Sequence, residues 1–121
     1  MTLGTWVLVA LLGGAGAIAR FVVDGVVGER LPGPFPWGTF AINISGAALL
    51  GGLAGAAVSG NAGILAGTAT LGSYTTLSTW MLESHRLGQD DQLKVALANI
   101  LGSLVIGFGA VSLGHAVGVA L

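Results

Sequence analysis

Thr68-Ala69-Thr70-Leu71-Gly72-Ser73-Tyr74-Thr75-Thr76-Leu77-Ser78-Thr79-Trp80 is the stretch on which the fold turns. It sits within an otherwise apolar run from Ala62 to Leu87, yet it is crowded with hydroxyls and β-branched residues and has a glycine inside. Hydroxyl side chains can satisfy the backbone groups that a break in a membrane helix sets free. Broken helices at membrane depth are a recurring way to expose carbonyls to a cation. A continuous helix that uses its hydroxyls for packing accounts for the same composition, and composition alone leaves both readings standing.

The rest of the chain fixes the solvent. Of 121 residues 54% are hydrophobic and 7% charged, against about 25% charged in a soluble domain. With a mean hydropathy of +0.90, the sequence cannot cover a water-facing surface, and the bilayer is the solvent that fits. A net charge of −1 cannot neutralise several phosphates, so no nucleic-acid partner is expected. The lack of cysteine excludes disulfides and thiolate metal sites. Gly14-Ala15-Gly16-Ala17 loosely mimics a signal-peptide cleavage site, but no Lys or Arg precedes Arg20, so cleavage is not expected.

Crossing about 30 Å of hydrocarbon takes about 20 apolar residues as a helix. Four stretches qualify, approximately 5–27, 37–59, 62–87 and 92–118, as one transmembrane domain over 1–121. The prolines of Leu31-Pro32-Gly33-Pro34-Phe35-Pro36 cannot continue a helix, and Ser59-Gly60-Asn61 and Gly88-Gln89-Asp90-Asp91 are short polar turns. Short turns make neighbouring spans antiparallel. Glycine numbers 22, and in a membrane small residues let backbones approach closely. Gly51/Gly55, Gly63/Gly67 and Gly114/Gly118, each four apart, predict such close contacts.

Polar groups inside spans carry the functional signal. Asn43 lies mid-span with Thr39 a turn before it, and interhelical bonding and transport account for it equally well. Asn99 and Ser103 share a helix face. Arg20 and Asp24 fit an ion pair near the headgroups.

Three motifs in order resemble the Fluc (CrcB) family of bacterial fluoride channels. Gly72 followed by Thr75-Thr76-Leu77-Ser78-Thr79-Trp80 and Glu83 is similar to the family's third-helix TTFSTF-type run. Gly13-Gly14-Ala15-Gly16-Ala17-Ile18-Ala19-Arg20 resembles its GGxxGAxxR start, and Pro36-Trp37-Gly38-Thr39-Phe40-Ala41-Ile42-Asn43-Ile44-Ser45-Gly46 its P-x-GTxxxNxxG segment. The resemblance implies an all-α integral membrane protein of four transmembrane helices, the third broken, assembled as an antiparallel (inverted) dimer in the bacterial inner membrane. It implies passive fluoride passage that lowers cytoplasmic fluoride, and a structural sodium ion at the dimer centre, held by the carbonyls of Gly72 and Thr75. Asn43, Ser78, Thr79 and Ser103 would supply donors along the anion path, with Glu83 near one mouth.

Fluoride is small and strongly hydrated, so a pore must replace its water with donors such as Asn amides and Ser/Thr hydroxyls. A buried cation offsets the entering negative charge, and the rims of aromatic rings are positive. The chain departs from the family where two pore phenylalanines fall at Leu77 and Trp80. Leucine offers no quadrupole edge, while tryptophan keeps a rim and adds an N–H.

Other classes fit less well. An exporter of the small multidrug resistance type needs a carboxylate deep in the first helix, whereas Asp24 comes late and beside Arg20. A non-transporting helical scaffold leaves Asn43 and the hydroxyl cluster unexplained. His85 and His115 form no metal cluster and no Gly-Lys nucleotide motif is present, so no enzyme is expected. Arg30, Arg86 and Lys94 fall on the side opposite the termini, with Arg20 at its edge. The positive-inside rule therefore predicts external termini. That bias favours a homologous partner of opposite orientation over a second copy of the chain.

Overall fold

The computed structural model describes residues 1–121 and contains only helices. The first two are α1 (Leu3–Arg30) and α2 (Trp37–Gly55). Then α3 (60–74) is made of an α-helical turn Gly60–Gly63, a π-helical run Ile64–Leu71 and a last turn Gly72–Tyr74. After a gap come α4 (Ser78–Gln89) and α5 (Leu93–Ala120). Three of them, α1, α2 and α5, are long and apolar enough to cross a membrane. Only 15 of 121 residues are buried, while Trp6, Phe21, Val105 and Phe108 stand exposed on α1 and α5. An apolar exterior on this scale fits lipid and not water, and the chain is a multi-pass membrane protein.

The second span stops short of the expected residue 59. Its end is a Schellman cap: Val58 N–H donates to the Leu53 carbonyl at 3.0 Å and Ala57 N–H to that of Ala54 at 3.1 Å. Ala57, at φ 57°, occupies the left-handed position that glycine usually takes. The following helix then begins at Gly60, ahead of the expected residue 62.

The α2–α5 seam is the most extensive packing in the molecule. A methyl group at Gly51 would collide with the Val111 carbonyl, and one at Gly55 with that of His115. In return Gly114 abuts the Ala48 carbonyl and Gly118 that of Gly52. The paired numbers rise together, so the two helices run parallel with backbone against backbone. Because they are parallel, the chain between them must return along the length of α2, about 28 Å at 1.5 Å per residue over its 19 residues.

The expectation for Gly63/Gly67 is corrected. Gly67 meets only the Leu50 and Leu53 methyls at 3.7 and 3.9 Å, and Gly63 meets Val58, just before its own helix. The π-helical run 64–71 departs from the 3.6-residue period on which that spacing rests. Close approaches occur instead at Gly16, against the Thr70 carbonyl, and at Gly38, against Asp24. These two glycines bring α1 onto α3 and α2. At the start of α2, Phe35, Trp37 and Phe40 cluster with ring centroids 4.5–5.8 Å apart, suiting an interfacial position.

Candidate functional site

The helical run stops at Thr75, whose backbone is extended at φ −81°, ψ 163°. A break in an apolar setting leaves polar groups to be satisfied, and Asn43 meets part of the need. Its Nδ2 donates to the Thr76 carbonyl at 2.8 Å, and its Oδ1 accepts from the Thr76 N–H at 2.9 Å. The side-chain amide thus acts as a piece of backbone laid across the gap. The Thr76 hydroxyl accepts from the Thr79 N–H at 3.2 Å and caps α4. Thr75 donates its own hydroxyl back to the Leu71 carbonyl at 3.0 Å.

The break leaves the carbonyls of Gly72, Ser73, Tyr74 and Thr75 without a hydrogen bond from the chain. The helical partner of the Gly72 carbonyl would be the Thr76 N–H, which is committed to Asn43. The Thr75 carbonyl receives no hydrogen bond from the chain. Gly72 and Thr75 both line an open groove of about 850 Å³ between α2, α3 and α5. Gly46 makes room there, since a methyl at that position would strike the Thr75 side chain. Carbonyl oxygens are hard donors, and no group of His, Cys, Asp or Glu that could hold a metal is present.

The expected path residues divide into two groups. Asn43, Leu77, Trp80 and Ser103 line the groove with Gly72 and Thr75. Leu77 is 68% exposed there, presenting alkyl surface. Thr79 instead enters a second cavity of about 310 Å³, lined by Arg20, Asp24, Thr39 and Thr76. Arg20 and Asp24 therefore border a polar chamber. Glu83 joins this second group, because the Thr39 hydroxyl donates to its Oε1. Ser78 lines neither cavity, and its side chain is exposed at the start of α4. Asn43 uses one N–H and its carbonyl oxygen on Thr76, which leaves a single Nδ2–H to offer.

The sequence named Thr39 without its partner and left Ser84 unread. Thr39, 1% exposed, emerges as the partner of Glu83. Ser84 is buried and bonds to the Trp80 carbonyl at 2.8 Å and to Asn99 Nδ2 at 2.9 Å. Ser84 follows Trp80 by one helical turn, a spacing that could have flagged it.

The chain is thus a helical membrane bundle with an interrupted helix braced by a side-chain amide. Residues 7–115 match the model of the family described as CrcB-like protein, Camphor Resistance (CrcB), and the chain belongs to that family. It is 58% identical over 114 residues to "Fluoride-specific ion channel FluC 2" of Mycolicibacterium paratuberculosis, covering 94% of this chain and 93% of that one. A Mycobacterium tuberculosis protein of the same name is 54% identical over 115 residues, covering 95% and 91%. "Fluoride-specific ion channel FluC 1" of Symbiobacterium thermophilum is 39% identical over 120 residues, covering 94% and 97%.

Proposed function

We propose that this chain is a subunit of a passive, fluoride-selective channel of the bacterial inner membrane that lowers cytoplasmic fluoride. The observation that carries it is the braced break, which sets bare carbonyls and hydrogen-bond donors along one groove in a chain whose relatives bear the name of fluoride channels. In this reading the segment from α3 to α4 is a fourth traverse of the bilayer, as the parallel α2–α5 seam favours. Two subunits then assemble in opposite orientations, with lipid around them.

Along the groove, the remaining Asn43 N–H replaces water around the anion, and the Trp80 rim adds a positive edge. In the second cavity the hydroxyls of Thr76 and Thr79 do the same beside the fixed positive charge of Arg20. The carbonyls of Gly72 and Thr75 fit a structural sodium ion, whose charge would offset that of an anion in low dielectric.

Efflux from liposomes is the test. Fluoride is expected to leave far faster than chloride, and activity is expected to fall when sodium is replaced by a larger cation. Equal rates for the two halides, or proton-coupled export of an organic cation, would sink the reading.

A second reading is favoured by Leu77, whose exposed alkyl chain stands where the family carries an aromatic ring. Here the chain works beside a homologous subunit that supplies the missing ring. Liposomes carrying this protein alone and together with a co-encoded homologue separate the two cases.

A further inference from the structure

We infer that Ser84 and Asn99 clamp the Trp80 indole against α5, so that the hydrocarbon rim of the ring, and not its N–H, faces the groove and sets anion selectivity. The effect on selectivity rests on the fluoride-channel reading; the clamp itself does not. The Trp80 Nε1 donates to the Asn99 backbone carbonyl at 3.2 Å. The Asn99 side-chain Nδ2 donates to Ser84 Oγ at 2.9 Å, and Ser84 Oγ donates to the Trp80 carbonyl at 2.8 Å. These bonds form a closed ring that starts and ends on Trp80. Ser103 adds a longer contact, its hydroxyl donating to Asn99 Oδ1 at 3.5 Å.

Asn99 is 0% exposed and Ser84 5%, so the bond between them is shielded from water, and no buried side-chain N or O atom of the molecule lacks a partner. A helix seam that needed only adhesion would be served by small apolar residues. A polar ring fixes orientation, because the indole N–H has one acceptor and the ring cannot turn without losing it. Trp80 and Ser103 both line the groove, so the clamped ring forms part of its wall. An indole free to swing would offer its N–H to any anion. A fixed rim offers a shallow positive edge that serves a small anion at close range. Ser84 and Asn99 are thus positioning residues that act through Trp80.

The test is a mutant cycle on the full-length protein in liposomes, with a spectroscopic arm. Ser84→Ala is expected to lower the fluoride-to-chloride efflux ratio about fivefold, the scale set by losing one hydrogen bond. Ser84→Thr, which keeps the hydroxyl, should restore the ratio to within about twofold. In a Trp80→Phe background, which has no indole N–H to hold, Ser84→Ala should change the ratio by less than about twofold. Of the three tryptophans, replacing Trp6 and Trp37 by Phe leaves Trp80 as the sole emitter. Its fluorescence anisotropy should fall with Ser84→Ala and hold with Ser84→Thr. Equal losses in both backgrounds would make Ser84 a packing residue and overturn the inference, as would a mobile Trp80 with an unchanged ratio. A parent protein that passes no fluoride would defeat the channel reading instead, and anisotropy would still decide whether the clamp exists.

Discussion

Asn43 shows how one side chain can brace a break and still keep a donor unspent. The sequence alone supported either interhelical bonding or a path donor, and the fold uses the amide for the first while leaving one N–H unbonded. Asn43→Leu therefore removes two hydrogen bonds from Thr76 and strands buried backbone groups, at a cost of about 1–3 kcal/mol each. Loss of fluoride efflux is expected together with an earlier thermal loss of the monodisperse species on size exclusion. A variant that keeps its thermal stability but not its transport would assign Asn43 to the path alone. This use was hidden in the sequence because the bond joins residues 33 apart. Thr39–Glu83 and Asn99–Ser84 were hidden for the same reason: periodicity reports faces, and not which face meets which.

Among the elements, the α2–α5 seam was the most legible, since Gly51, Gly55, Gly114 and Gly118 are spaced by one turn and do meet a neighbouring backbone. Gly63 and Gly67 share that spacing, but a π-helical run is outside what a 3.6-residue pattern can foresee. Gly114→Val should destabilise the bundle by about 1–3 kcal/mol, because its neighbour is the Ala48 carbonyl, a backbone atom that cannot step aside. Thermal challenge followed by size exclusion reads this, and tolerance of Gly114→Val would refute the seam. The cap of α2 predicts the opposite sign. Ala57→Gly relieves a left-handed alanine that costs about 1–2 kcal/mol, partly offset by the greater freedom of glycine when unfolded. The midpoint of that thermal loss should rise, and a fall would mean that Ala57 is held by contacts stronger than its strain.

For the whole molecule, composition alone made the membrane legible, whereas the open groove could not be, because it depends on how three elements are spaced. Gly72 marks the limit of a single subunit. A methyl there meets nothing nearer than the Gly67 carbonyl at 3.9 Å, so Gly72→Val should fold normally as one chain. Its expected damage lies in assembly, read as weakened dimerisation by crosslinking in membranes and lost dependence of activity on sodium. A variant that dimerises and conducts normally would remove Gly72 from the proposed cation site. The amide bridge across the broken helix also has a kinetic meaning. Unpaired backbone amides exchange their protons with solvent quickly, while those locked in bonds wait for an opening event. Thr76 lies outside any regular helix, yet its N–H is bonded to Asn43. In hydrogen–deuterium exchange it should lag like the helical amides around it, and the lag should vanish in Asn43→Leu. A fast Thr76 in the parent protein would mean that the bridge opens freely, and the break would then be a moving part of the molecule.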